Sequence, residues 1–313
     1  MLSRRNIRIK VMQTIYAHES GSYNNMVIAE KALLKSIQNA YTLALYNLYI
    51  VREVALYARK EAKMRAAKKL PSQEDLNFNT RIAESPLAVA LENNTAFNDL
   101  IKEHKVHLME SEEVIKSLFK KLIGRPEYKR YLAQLATLES EKGILSVLLN
   151  KVMLHDELYT SHVEELFTNW IDDQAPVLFK LNQLLGDVDF EAEISKRESF
   201  QPDEEDEEFA RELFSKTVSN DEDFGQLIAP KLQNWDLERI ASLDMILMKM
   251  AICELMFFKN IPIKVSINEY IDISKIYSTP KSKDFINGIL DKLMNQLKNE
   301  GRIKKQGRGL MGQ

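Results

Sequence analysis

Four basic side chains open the chain. Arg4, Arg5, Arg8 and Lys10 precede any acid, the first of which is Glu19. Guanidinium groups make forked, charge-assisted hydrogen bonds to phosphate and stack on unpaired bases. The run therefore carries the chemistry of single-stranded RNA binding. Arg4 and Arg8 lie four residues apart on one side of a helix, and the same line continues into Val11 and Ile15, which call for burial. The simplest geometry packs the later turns in a core and lets the first two turns project past it with their arginines. The plainer reading of the same residues is a solvated basic terminus.

Other reactive side chains give weaker signals. His104 and His107 are three apart and could share a helix face, but two histidines without a third ligand are a poor zinc site, and they are read as surface residues. Cys253 lies in an apolar helical stretch and reads as a small core residue rather than a nucleophile. The sequence has no P-loop, no glycine-rich dinucleotide turn, no G-x-S-x-G and no C-x-x-C. The expectation is a protein that is not an enzyme, with no cofactor and no metal.

The elements that must position these residues are helical. The chain has 313 residues, 45% hydrophobic and 28% charged, with only 10 Gly and 8 Pro. That scarcity of chain breakers favours long helices over a turn-rich β-fold. One cysteine excludes an internal disulfide and suits a reducing compartment. No apolar run approaches the roughly 18 residues of a membrane span, and Met1 to Lys10 is not followed by an apolar core of signal-peptide type. A cytoplasmic protein is expected. The net charge of −3 means that any RNA site must be a local patch.

The spacing of Ile7, Val11 and Ile15 predicts a helix over Arg4 to Glu19. From Val27 to Lys69, the series Leu34, Ile37, Tyr41, Ala44, Leu48, Val51, Ala55, Ala58 and Ala62 alternates steps of three and four, a heptad seam about 60 Å long. Pro71 stops it, and a polar stretch to Ser85 reads as a loop. Further helices are predicted over Asn93 to Lys105, Ser111 to Ile123, Pro126 to Leu138, Ser140 to Leu154, Asp156 to Ile171 and Ala175 to Leu185. Six consecutive acids, Asp203 to Glu208, read as a solvated loop entering the first turn of a helix that carries Phe209, Leu213, Phe214 and Val218. A short helix with Phe224, Leu227 and Ile228 follows. Asp236 is a candidate cap for a helix with Ile240, Leu243, Leu247, Met250, Ala251, Glu254 and Phe257. Ser266 and Glu269 have capping-box spacing. Ser278 or Thr279, before Pro280, begins a last helix with Phe285, Ile289, Leu293 and Leu297 inward. The tail from Gly301 reads as disordered. Lys60, Lys63, Arg65, Lys68 and Lys69 read as a salt-bridged face, with an extended RNA track as the alternative. No strand and no fixed-period repeat is found, so the class is all-α.

These residues resemble the NusB family of transcription antitermination factors. Arg4-Arg5-x-x-Arg8 with Gln13-Thr14-Ile15-Tyr16 resembles the family's arginine-rich first helix. Phe209 to Ser219 resembles its third helix, and Trp235 to Leu255 its W-x-x-x-R helix with L-x-x-A-x-x-E-L. Pro262 to Lys275 is similar to P-x-K-V-x-I-N-E, and Phe285 to Leu293 to F-V-N-G-V-L-D-K. The motifs keep the family's order and cover residues 1–20 and 200–298. Residues 21–199 read as a helical insertion and 299–313 as a basic flexible tail.

The resemblance implies NusB-like helical bundles that bind boxA-type single-stranded RNA in the leader of ribosomal RNA transcripts. It implies a heterodimer with the ribosomal protein NusE and entry into the RNA polymerase antitermination complex. A homodimer is a further possibility. By the same resemblance Arg4, Arg5 and Arg8 contact RNA, Phe285 lies on the RNA-facing surface, and Tyr16 and Asp244 face NusE. Asn6 replaces one cation of the family's arginine cluster. Lys281-Ser282-Lys283-Asp284 departs from the family's acid-Ser-His-Lys, and Lys281 in place of an acid, with Lys283, strengthens phosphate attraction. Asn268, Glu269 and Asn287 read as structural groups that satisfy buried helix ends, and Glu254 as a paired buried acid. Two alternatives stand beside this. A NusB-like module can be linked to rRNA methylation, but that enzyme needs a further α/β domain and a catalytic cysteine. The protein could also be a non-catalytic RNA-binding or scaffold protein in which the insertion is the working part.

Overall fold

The computed structural model describes residues 2–232 and 240–310. Trp235 and Arg239 of the W-x-x-x-R motif and the candidate cap Asp236 lie outside the described residues. Within them the fold is all-α, with no strand. The chain divides into two compact units, one spanning Gln38–Pro202 and the other combining Leu2–Ile37 with the chain from Asp203 onward.

Helix α1 runs Arg4–Glu19 and α2 runs Met26–Ala66. The first unit is built on the α2 residues from Gln38 onward. It adds α3 (Gln73–Leu76), α4 (Pro86–Asn93), α5 (Thr95–Glu103), α6 (Glu112–Ile123), α7 (Pro126–Ala133), α8 (Leu138–Val147), α9 (Glu157–Leu166), α10 (Trp170–Gly186) and α11 (Phe190–Ser195). The heptad residues Ala44, Leu48, Val51, Ala55 and Ala58 sit in one apolar core with Phe97, Phe119, Leu148, Tyr159 and Phe200. Caps set the boundaries that the hydrophobic period missed. Ser85 accepts from Ala88 N and starts α4 at Pro86, inside a stretch with no predicted helix. Asn94 accepts from Phe97 N at 2.9 Å and separates α4 from α5. The predicted helix through Leu154 ends as α8 at Val147 and passes into a π turn over Leu148–Val152. In the basic run, Lys60 pairs with Glu112, Arg65 with Glu61 and Lys68 with Asp75, the salt-bridged face the sequence suggested.

The second unit contains α1, the opening of α2, α12 (Glu204–Ser219), α13 (Asp221–Ile228), α14 (Ser242–Phe257), α15 (Ile263–Tyr277) and α16 (Ser282–Asn299). Helix α14 is apolar nearly all round, so it has to be enclosed. It packs against α1, α12, α13, α15 and α16. Cys253 lies inside this helix, and burial pushes its thiol up to about 12. The predicted disordered tail is corrected for residues 302–310. Lys305 is buried and donates to the carbonyls of Glu254 and Phe258 at 3.1 and 2.9 Å, adding a second donor to two carbonyls at the end of α14 that also accept from Phe258 N and Ile261 N. Gln306 N donates to Lys259 O at 2.9 Å. Gly309 passes so close that an added Cβ would lie 2.0 Å from Lys259 O, which leaves room only for glycine.

Candidate nucleic-acid interface

Ser3 caps α1, accepting from Asn6 N at 3.2 Å, while Ser3 N donates to Asn6 Oδ1 at 3.1 Å. Asn6, a lost cation by the family pattern, thus completes a capping box. The projecting start expected for α1 is corrected here. Arg4, Arg5 and Asn6 are half-buried and Ile7, Arg8, Ile9, Lys10 and Val11 are buried, so the helix is packed from its second turn onward.

Each arginine in this run meets carboxylates. Arg4 bridges to Glu205 at 2.9 Å and Asp206 at 3.1 Å, and its guanidinium lies 4.5 Å from the centroid of the Phe209 ring. The acid run is therefore not simply a solvated loop. Asp203 caps α12, and two of the next three acids hold Arg4. Arg5 donates to both oxygens of Glu269 at 2.8 and 2.9 Å and to Asp272 at 2.8 Å. The Glu269 hydrogen bond is the chief cause raising its pKa further. Arg8 forms a forked pair with Glu254 at 2.7 and 2.8 Å, with its side chain 3% exposed. Burial opposes its charge, and the hydrogen bonds and charge of Glu254 outweigh that penalty and raise its pKa. Ser266 Oγ and the Tyr270 hydroxyl also donate to Glu254, at 2.6 and 3.0 Å. A buried carboxylate needs this full set of donors.

Two readings change with that network. The expectation that Arg8 faces RNA is corrected, because Arg8 is spent on Glu254 inside the unit. The Ser266–Glu269 capping box is also corrected. Helix α15 begins at Ile263 after Pro262, Ser266 serves Glu254, and Glu269 serves Arg5. Sequence reasoning placed Glu254 as a paired acid but missed Ser266 and Tyr270. Their spacing of four, two polar groups on a face that otherwise packs inward, was the available signal.

The start of α16 is different. Lys281 and Lys283 are exposed and make no ion pair among the described residues. Between them Ser282 is buried and donates to Asp244 Oδ2 at 2.7 Å, while Ser278 Oγ donates to Asp244 Oδ1 at 2.6 Å. The expectation that Asp244 faces a partner is corrected. It is 4% exposed and ties the turn before α16 to the first turn of α14. Phe285 is also corrected as a surface ring, since it is 6% exposed. Tyr16 is 47% exposed. Asn268 and Asn287 are exposed, so they do not satisfy buried helix ends. Among the described residues no group of His, Cys, Asp and Glu is arranged to hold a metal, and no helix is long and apolar enough to cross a membrane.

Comparison with known proteins finds the following similarities. The NusB family model matches residues 174–295. Transcription antitermination protein NusB of Salinibacter ruber is 38% identical over 135 residues, which is 43% of this chain and 84% of that protein. The protein of the same name from Chloroherpeton thalassium is 43% identical over 33% of this chain and 49% of its own length. That of Natranaerobius thermophilus is 38% identical over 29% of this chain and 65% of its own length. A solved structure of T. maritima NusB is 34% identical over 34% of this chain and 73% of that chain, with a TM-score of 0.29.

Proposed function

The chain belongs to the NusB family, and on that premise we propose that it is an RNA-binding transcription antitermination factor. It binds boxA-type leader RNA of ribosomal RNA transcripts together with NusE, and the pair joins RNA polymerase. The observation that carries the RNA site is the pair of exposed lysines at the start of α16, Lys281 and Lys283, which make no ion pair among the described residues. A phosphate gains from a cation in proportion to the charge left available to it. Lys281 and Lys283 offer theirs in full, and Arg4 and Arg5 offer theirs only by leaving Glu205, Asp206, Glu269 and Asp272. The lysines therefore lead in binding RNA, and the arginines hold α1 to α12 and α15.

Exposed Tyr16 supports a NusE contact on α1. Asp244 acts on the RNA site indirectly, by fixing the turn that carries Lys281. We read the first unit, entered through α2, as the addition to the family's helical framework, with the family match beginning inside it at residue 174.

A gel-shift titration with boxA-type RNA, with and without NusE, tests this reading. Binding should be weak alone, tighter with NusE, and weaker as salt rises. Equal affinity for an unrelated single strand, with no effect of NusE, would refute it.

A further inference from the structure

A cavity of the first unit is not used by this reading. It has a volume of about 470 Å³ and lies where the end of α2, α3, residues 77–79 and α7 meet. Small-molecule sites usually occupy roughly 300–1,000 Å³.

One wall is a flat stack. The Arg65 guanidinium lies over the Phe78 ring, 4.3 Å from its centroid, and both residues line the cavity. Arg65 donates to Glu61 through Nε at 2.7 Å, and its terminal nitrogens make no hydrogen bond among the described residues. Guanidinium planes and aromatic rings are the surfaces on which unpaired bases stack. Leu132 supplies the aliphatic part of the lining.

The rest of the lining is rich in amides. Asn77 Nδ2 donates to Gln73 O at 2.9 Å, and Asn79 Oδ1 accepts from Arg81 N at 2.8 Å. These bonds hold the two amides and leave Asn77 Oδ1 as an acceptor and Asn79 Nδ2 as a donor, both without a bond among the described residues. Amides pair with the neighbouring donor and acceptor on the edge of adenine. Glu74, exposed and without an ion pair among the described residues, only accepts and so suits an exocyclic amine. Arg65 is already balanced by Glu61, so no surplus cation selects a phosphate here.

The remaining group is Tyr128, from α7. It is 3% exposed, and its hydroxyl has no hydrogen-bond partner among the described residues. Buried polar atoms are seldom left in that state. Burial pushes this phenol up to about 12, so it is a neutral donor near pH 7. Tyr46, in the same unit, also has an unpartnered buried hydroxyl but does not line this cavity.

We infer that this cavity binds an amino-bearing nucleobase of the adenine type, stacked against Arg65 and hydrogen-bonded by Asn77, Asn79, Glu74 and Tyr128. The same chemistry serves a free nucleoside or one base of a single strand.

The test is isothermal titration of the full chain carrying Lys281→Ala and Lys283→Ala, so that the proposed RNA site does not contribute. Adenosine should bind saturably, and uridine should bind about tenfold more weakly. Ribose 5-phosphate should not bind. Tyr128→Phe should weaken adenosine binding roughly fivefold to tenfold. It should not lower the melting temperature, because the hydroxyl holds no partner in the free protein. Gln73→Ala, at an exposed position of the rim, should weaken binding by about threefold. Tyr46→Phe should leave it unchanged. Displacement of adenosine by a short oligoadenylate assigns the base to a single strand, and no displacement assigns it to a free nucleoside. Absent binding of adenosine, equal binding of ribose 5-phosphate, or indifference to Tyr128→Phe would each overturn the inference.

Discussion

The start of α1 and the start of α16 are both rich in cations, yet they offer opposite electrostatics. Arg4, Arg5 and Arg8 are bound to five carboxylates drawn from α12, α14 and α15. Lys281 and Lys283, on and beside the first turn of α16, stand in solvent without one among the described residues. The contrast follows from side-chain chemistry. A planar guanidinium forks onto carboxylates and tolerates burial, whereas an ammonium is strongly hydrated and stays out. A basic run in a sequence therefore measures charge present, and only its partners decide how much remains for a ligand.

The largest expected effect breaks the buried end of the comparison. Arg8→Ala leaves Glu254 enclosed without its cation and should cost about 3–5 kcal/mol of stability in urea unfolding. Arg8→Met combined with Glu254→Gln should recover part of that loss. If Arg8→Ala is as stable as the parent, the network does not hold α1 to α14.

The open end should show in affinity. Lys281→Ala with Lys283→Ala should weaken boxA-type RNA binding about tenfold with little change in melting temperature. Undiminished affinity in the same titration would move the RNA site elsewhere.

Arg4 lies between these extremes, its side chain a third exposed. Arg4→Ala should cost at most about 1 kcal/mol, as surface ion pairs do, and should change RNA affinity less than about twofold. A larger loss of RNA binding than the lysine pair gives would reverse the ranking of the two regions.

Lys305 adds a third kind of cation, buried against carbonyls with no carboxylate bonded to it. Burial lowers its pKa from 10.5 to about 8. Between those values the unfolded chain holds a proton that the folded chain has released, so stability should rise with pH across that window. The rise should be smaller in Lys305→Met, and identical melting profiles for the two proteins would contradict this account.

Much of the architecture was legible in the sequence. The period of α1 and the heptad seam of α2 gave both helices, because burial on one face leaves a repeating trace. The predicted starts at Ser111, Pro126 and Asp156 fall within a residue of the observed ones, where Ser111 and Asp156 cap α6 and α9 and Pro126 opens α7. The site was less legible. The carboxylates that hold Arg4 and Arg5 lie 201 to 267 positions away in sequence, and no local pattern announces such a partner. Ser266 and Glu269 had the spacing of a capping box, but tertiary partners claimed both side chains. Phe285 and Asp244 were placed on the surface by resemblance, and packing against neighbouring helices encloses them. The tail reads as disordered by composition, yet Lys305 anchors it to two carbonyls at the end of α14, a contact no local pattern announces.

The most direct test is the salt dependence of RNA binding in the presence of NusE, for the parent, Lys281→Ala with Lys283→Ala, and Arg4→Ala with Arg5→Ala. Removing one cation that neutralises a single-strand phosphate should reduce the slope of log affinity against log salt by about 0.7. The slope should fall by about 1.4 for the lysine pair and stay near the parental value for the arginine pair. A fall confined to the arginine variant would contradict the account.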